Sequence, residues 1–303
     1  MESNKVCAVI NPKAGGGKTG RHLRKIVEEL SKRYEGLRYF LTERPLHATE
    51  LTRRAIDEGA SLVICVGGDG TLNEVVNGFF DGKSSFVRDV GLSVISTGTG
   101  ADFLKAFGIK KGLRIPEGRQ IFIDAGVCEF TGWDGKEKRR AFINITDFGI
   151  GGEVVYRVNR TTKVFGGFVS FLIGTLSALI SYRGAKVRYR IDGEERTERL
   201  VGFVIAIGQF FGGGMHIAPL SDPSDGLFDI VIMRRGGLRD FIKFGPKIYR
   251  GTHLNVEGIY WTRGKTISAE VLEGRCPVDM DGEDVGSLPL RAWIVPKAIK
   301  LIL

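Results

Sequence analysis

Residues Ser61–Phe79 read SLVICVGGDGTLNEVVNGF. The opening run is uncharged and rich in apolar side chains, as expected of a strand buried on both faces. Two glycines follow, then Asp69 between Gly68 and Gly70, then a helix. Strand, glycine turn and helix together form the repeating step of a parallel sheet covered by helices. The step recurs. KVCAVI (5–10) runs into NPKAGGGKTG (11–20), and VGLSVI (90–95) runs into STGTGADF (96–103). LRYFL (37–41) reads as a further strand, and all four are expected to be buried on both faces. RHLRKIVEELSKRY (21–34) and HATELTRRAIDEG (47–59) carry apolar residues at helical spacing with charges opposite. A doubly wound α/β domain over residues 1–123 follows from this alternation, with ligands expected at the carboxyl ends of its strands.

After Ile115 the rhythm changes. QIFIDAGVCEF, AFINITDF, AKVRYRID, LVGFVIAIG, LFDIVIM and KTISAEVL read as strands, several with two-residue alternation. Four Asp-Gly pairs, at 134–135, 192–193, 225–226 and 281–282, are hairpin signals because both residues tolerate positive φ. Residues 124–292 are therefore expected to form an antiparallel β-sandwich, and segment 293–303 is free to return to the first domain. Val164–Tyr182 holds no charge, but its glycines, serines and threonine make it only mildly apolar. It is expected to be a helix packed on its own domain, with membrane contact as the competing reading.

Composition narrows the function classes. The chain has 303 residues, 43% of them hydrophobic, and 44 basic against 35 acidic residues give a net charge of +9. That excess suits polyanionic partners. It is scattered and not interleaved with aromatic residues, which argues against nucleic acid. Cys7, Cys65, Cys128 and Cys276 form no C-x-x-C pair and read as buried free thiols. The N-terminal MESNK lacks the apolar run of a signal peptide, so a cytoplasmic location is the expectation.

The glycine-rich loops carry the chemistry. NPKAGGGKTG resembles a phosphate loop, but G-x-x-x-x-G-K-[ST] requires glycine where Pro12 stands. Three glycine loops on one sheet edge still let backbone N–H groups approach phosphate oxygens. Asp69 is a carboxylate suited to hold Mg²⁺ beside a nucleotide, or else a turn residue.

Val66–Phe79 resembles the nucleotide-binding motif of the diacylglycerol kinase catalytic-domain family, which includes bacterial soluble lipid kinases. Asn11–Gly15 is similar to its N-P-x-[AS]-G, Gly98–Phe103 to its G-T-x-N-D-F, Gly212–Ile232 to its G-G-G segment, and Val278–Glu283 to its terminal D-G-E. GGDGT by itself is shared with NAD kinases and phosphofructokinases, whose fold the first domain is expected to adopt. The resemblance implies an ATP- and Mg²⁺-dependent kinase that phosphorylates a hydroxyl of a membrane lipid, diacylglycerol or a relative, while peripherally associated with the membrane. Asn11, Pro12, Lys13, Ala14, Gly15, Thr42, Gly67, Gly68, Asp69, Gly70, Thr71, Leu72, Asn73 and Thr99 would line the nucleotide site. Asp69 would serve the phosphates and their Mg²⁺, and Glu283 would be the general base. A structural Mg²⁺ would take the carboxylate of Asp225 and the carbonyls of Asp222 and Leu227. A homodimer is left open. Two departures stand out: Ala101 where asparagine is usual, and Ser224 where an aspartate is frequent. An NAD kinase-like phosphotransferase and a catalytically weak nucleotide- or lipid-binding regulator are the alternatives.

Overall fold

The computed structural model describes residues 5–98, 100–109, 112, 118–160, 167–236 and 238–303. They divide into two compact units. The first takes the chain up to Ala125 together with Pro223–Asp225 and Val295–Leu303, and the second takes Gly126–Asp222 and Gly226–Ile294.

The first unit alternates as its sequence does: β1 (Val6–Ile10), α1 (Lys18–Arg21), α2 (Leu23–Arg33), β2 (Arg38–Leu41), α3 (His47–Asp57), β3 (Leu62–Gly67), α4 (Asp69–Phe79), β4 (Gly91–Ser96) and α5 (Asp102–Lys105). Its strands are parallel in the order β2-β1-β3-β4, and the last strand of the chain, β15 (Glu283–Ile302), lies parallel to β4 through Lys300–Ile302. Val6, Ala8 and Ile10 of β1 pack with Ile26 and Leu30 of α2. Helices α3 and α4 pack on each other and on the same strands. The order places a switch point between β1 and β3, from which the chain winds outward in both directions, and ligand crevices open at such points in open α/β sheets.

One strand departs from expectation. β2 is mostly exposed, with Tyr39 47% and Leu41 36% accessible. It ends the sheet and pairs with β1 alone, so its apolar residues are covered on fewer sides than those of β1, β3 and β4.

The second unit is antiparallel. After β5 (Gln120–Gly132) come β6 (Glu137–Phe142), β7 (Ile145–Gly149), α6 (Ile150–Arg160), α7 (Gly167–Ser181), β8 (Ala185–Ile191), β9 (Glu194–Leu200), β10 (Gly202–Ala206), β11 (Phe228–Met233), α8 (Leu238–Tyr249), β12 (Ile259–Gly264), β13 (Thr266–Glu273) and β14 (Pro277–Met280). One layer runs β12-β11-β10-β7-β14-β15. From β15, β13 continues to β8 and β9, and β5 continues to β6. Between the layers Tyr189 meets Phe203 edge-on at 5.1 Å, and within one layer Phe203 stacks on its cross-strand neighbour Phe148 at 4.7 Å. In β8 the alternation is plain: Val187 and Tyr189 are buried while Arg188 and Arg190 face solvent.

Three of the four Asp-Gly pairs close hairpins: β5–β6, β8–β9 and β14–β15. Asp225–Gly226 does not. It lies in the long connection between β10 and β11, where Gly226 supplies a positive φ inside a loop. All four cysteines are free and buried. Of Val164–Tyr182, residues 164–166 lie outside the described set; Gly167–Ser181 forms α7, which packs against α6 and α8. Among the described residues no helix is long and apolar enough to cross a membrane.

Candidate active site

The three glycine loops of the first unit meet at the carboxyl ends of β1, β3 and β4. The Asn11 amide donates to Thr71 Oγ1 at 2.9 Å, tying the end of β1 to the first turn of α4. Thr19 Oγ1 donates to Thr97 Oγ1 at 2.6 Å, and the Thr97 N–H donates to the Gly67 carbonyl at 2.9 Å. Glycine is required at these crossings. A Cβ on Gly98 would stand 2.6 Å from the Gly68 Cα, and one on Gly15 would stand 2.4 Å from the Thr97 carbonyl oxygen. Gly15 also holds φ at +62°, which disfavours any side chain.

Asp69 begins α4, whose N-cap Gly68 offers no side-chain acceptor. An uncapped helix start presents free N–H groups and a partial positive charge, a ready anion site. Burial raises the Asp69 carboxyl above its usual range, and the neighbouring Asp102 carboxylate raises it further. Long N–H contacts from Phe103 and Asp102, both 3.4 Å, and Lys105 oppose this. Lys105 Nζ pairs with Asp102 at 2.6 Å. A Cβ on Gly100 would lie 3.1 Å from Asp69 Oδ2 and 3.3 Å from Asp102 Oδ2, so that glycine keeps the space beside both carboxylates open. Two carboxylates facing one small space suit a hard divalent cation.

The other nucleotide-site candidates sit around this centre. Lys13 is exposed, with its N–H on Asn11 Oδ1, and the Thr42 N–H donates to the Ile10 carbonyl beside the end of β1. Pro12 and Ala14 flank Lys13, and the Gly20 N–H closes on the Pro12 carbonyl at 2.9 Å. Leu72 and Asn73 are buried in α4, so Leu72 offers the site backbone and not its side chain. Thr99 lies outside the described residues.

Glu283 occupies the second unit, at the first position of β15 after the Asp281–Gly282 turn. Both turn residues take positive φ, 49° and 87°. The Asp281 carboxylate anchors this turn by accepting N–H groups from Ile143, Asn144 and Ile145 at 3.3, 3.2 and 2.9 Å. Arg140 donates to Glu283 Oε2 at 2.8 Å, which orients the carboxylate and leaves Oε1 for another donor.

Comparison with known proteins agrees with both halves. Residues 5–126 match the diacylglycerol kinase catalytic domain, and residues 144–303 match the YegS C-terminal NAD kinase beta sandwich-like domain. The chain belongs to the family that carries the YegS C-terminal NAD kinase beta sandwich-like domain, here preceded by a diacylglycerol kinase catalytic domain. It is 28% identical over 288 residues to a diacylglycerol kinase of Bacillus subtilis (strain 168), covering 93% of this chain and 90% of that one. In fold it is similar to a diacylglycerol kinase of Bacillus anthracis str. Sterne (TM-score 0.70, 22% identity, covering 100% of this chain and 97% of that one). It is also similar to yeast NADH kinase (TM-score 0.51, 11% identity, covering 99% and 83%).

As a member of this family the chain shows residues that sequence reading left outside the site. Asp102 and Lys105 stand against Asp69, and Arg140 holds Glu283. Asp102 was visible in the Gly98–Phe103 motif, and Lys105 three residues on has the helical spacing of an ion pair. Arg140 lies 143 residues from Glu283 and left no such trace. Ala101, 2% exposed, takes φ +53°, a conformation asparagine adopts more readily than alanine. The proposed metal turn offers only oxygen donors, the kind Mg²⁺ selects, with Asp222, Ser224 and Asp225 at the surface.

Proposed function

We propose that this kinase-family chain transfers the γ-phosphoryl group of ATP to the hydroxyl of a membrane lipid of the diacylglycerol kind. The observation that carries the reading is the meeting of three glycine loops around Asp69 and Asp102 at the sheet's switch point. Backbone N–H groups at the start of α4 and at Gly15 and Gly16 bind phosphate oxygens, with Lys13 nearby to balance their charge. Asp69 and Asp102 would hold Mg²⁺, which when bound neutralises charge on the transferring phosphoryl group. Glu283 Oε1 takes the lipid hydroxyl proton as that oxygen bonds to the γ-phosphorus and the bond to the ADP oxygen breaks. Arg140 keeps the carboxylate turned for this step. Asp225, with the Asp222 and Leu227 carbonyls, would hold a second Mg²⁺ in a structural role.

The test incubates purified protein with labelled ATP, Mg²⁺ and a total membrane lipid extract, with NAD in a parallel reaction. A labelled phospholipid that disappears in Glu283→Gln supports the reading. NADP formation without lipid labelling would replace it with the NAD kinase alternative. Nucleotide binding with neither product would leave a regulator.

A further inference from the structure

Helix α8 carries three distinct faces. Phe244, Gly245 and Ile248 are buried against the second unit. Ile242, Pro246 and Tyr249, spaced four and three residues apart, form an exposed apolar row. Ile242 at 66% and Tyr249 at 54% are among the most exposed large apolar side chains of the described residues. One position further on, Lys243, Lys247 and Arg250 form an exposed basic row. Among the described residues no acidic side chain pairs with any of these three cations. On β8, by contrast, each exposed cation has a partner: Lys186 with Glu273, Arg188 with Glu270 and Arg190 with Glu195. Helix α7, packed on α8, leaves its own apolar pair exposed, Leu176 and Ile180, followed by exposed Arg183.

We propose that α8 is the surface by which the chain seats on an anionic lipid membrane. Ile242, Pro246 and Tyr249 enter the interfacial layer, and Lys243, Lys247 and Arg250 meet lipid phosphates. A basic row beside an apolar row, on a helix lying flat on its domain, is what interfacial binding requires. Single exposed apolar residues are ordinary, but a row of them beside cations without acidic partners is not. A second copy fits less well, since a two-fold contact through α8 would set its basic row against an identical one, with Asp240 the one acid on the helix. The choice of a lipid partner rests on the lipid-kinase reading, while the binding itself needs no turnover.

The experiment is sedimentation of the full chain with vesicles, without ATP. Wild type is expected to bind vesicles of phosphatidylglycerol and phosphatidylcholine, more weakly at high salt, and to leave pure phosphatidylcholine vesicles in the supernatant. The triple variant Lys243→Gln, Lys247→Gln, Arg250→Gln should weaken binding by about 100-fold, from the usual contribution of three cations at an anionic surface. Ile242→Glu should weaken it at least tenfold. The control triple Lys186→Gln, Arg188→Gln, Arg190→Gln removes equal charge and should bind like wild type, with circular dichroism melts showing all variants folded. Absent wild-type binding, or equal losses in both triples, overturns the proposal. So does self-association of wild type abolished by Ile242→Glu, which would make the face a contact between copies. Vesicle binding that persists while no lipid hydroxyl is phosphorylated removes the kinase reading and leaves the docking face standing.

Discussion

Two groups of carboxylates in this chain meet opposite fates. Asp69 and Asp102 face a space that Gly100 keeps open, with Lys105 attached to one of them and the uncapped start of α4 beside them. Asp147 and Asp279 are cross-strand partners on β7 and β14, 2% and 4% exposed, packed behind the turn that carries Glu283. Among the described residues Asp147 Oδ2 and Asp279 Oδ1 have no hydrogen-bond partner. Burial pushes the Asp147 carboxyl up to about 7 and Asp279 well above its ordinary range, the latter also through the facing Asp147. In the first pair Asp69 is partly exposed, within reach of a cation from outside, while Asp102 is 5% exposed and tied to Lys105. Beyond the Gly152 N–H on Asp147 Oδ1 at 3.0 Å, the second relieves its charge by retaining a proton between its members. Proximity of acids therefore says little about function until access and compensating groups are known.

The strongest way to break this comparison is to remove the open pair's charge. Asp69→Asn is expected to lower phosphoryl transfer by roughly 10³-fold or more, through lost metal and phosphate positioning. Its unfolding midpoint should hold or rise, because a desolvated charge beside Asp102 has gone. Steady-state kinetics and a thermal melt on one preparation check both, and a collapse in stability would make Asp69 a structural residue.

Next in size is Glu283→Gln, which keeps shape and hydrogen bonding without basicity. Turnover should fall about 10²–10⁴-fold while ATP affinity stays near wild type. Turnover within a few-fold of wild type would return Glu283 to the role of a turn residue paired with Arg140.

The buried pair should show itself in stability rather than rate. A carboxyl bound more tightly to its proton when folded contributes fully below the unfolded pKa of about 4. Stability is then lost as pH rises toward the Asp147 value of about 7. Asp279→Asn removes one of the charges, so it should flatten this decline and stabilise the protein by about 2 kcal/mol at pH 8. Melts from pH 5 to pH 8 decide it, and parallel declines in both proteins would mean the pair carries no pH-linked cost.

The smallest effect expected is at the metal turn. If Asp225 helps hold Mg²⁺, Mg²⁺ at a few times its dissociation constant should stabilise the wild type by about 1 kcal/mol through linkage, and Asp225→Ala should lose that response. Equal responses in the two proteins would dissociate Asp225 from any ion that stabilises the fold.

Much of the architecture was legible because it is written locally. Apolar runs ending in glycines, helical spacing at Arg21–Tyr34 and His47–Gly59, and Asp-Gly turns each need only neighbouring residues to be read. So do the motifs around Asp69 and Glu283, since a loop that must approach phosphate needs glycine wherever it lies. Long-range facts left no such mark. The exposure of β2 follows from its place at the sheet edge, and strand order is chosen by packing across the whole unit. Asp225–Gly226 has the same local preference as the three true hairpin turns, but a long connection separates its flanking strands. Arg140 beside Glu283, Asp102 beside Asp69, and Asp147 against Asp279 are contacts between residues far apart in sequence. The sequence by itself determined turn chemistry, periodicity and which side chains were available to react. Only the tertiary structure decided which carboxylates would face each other, and which would stay open to a ligand, because burial and Coulomb interaction depend on spatial neighbours.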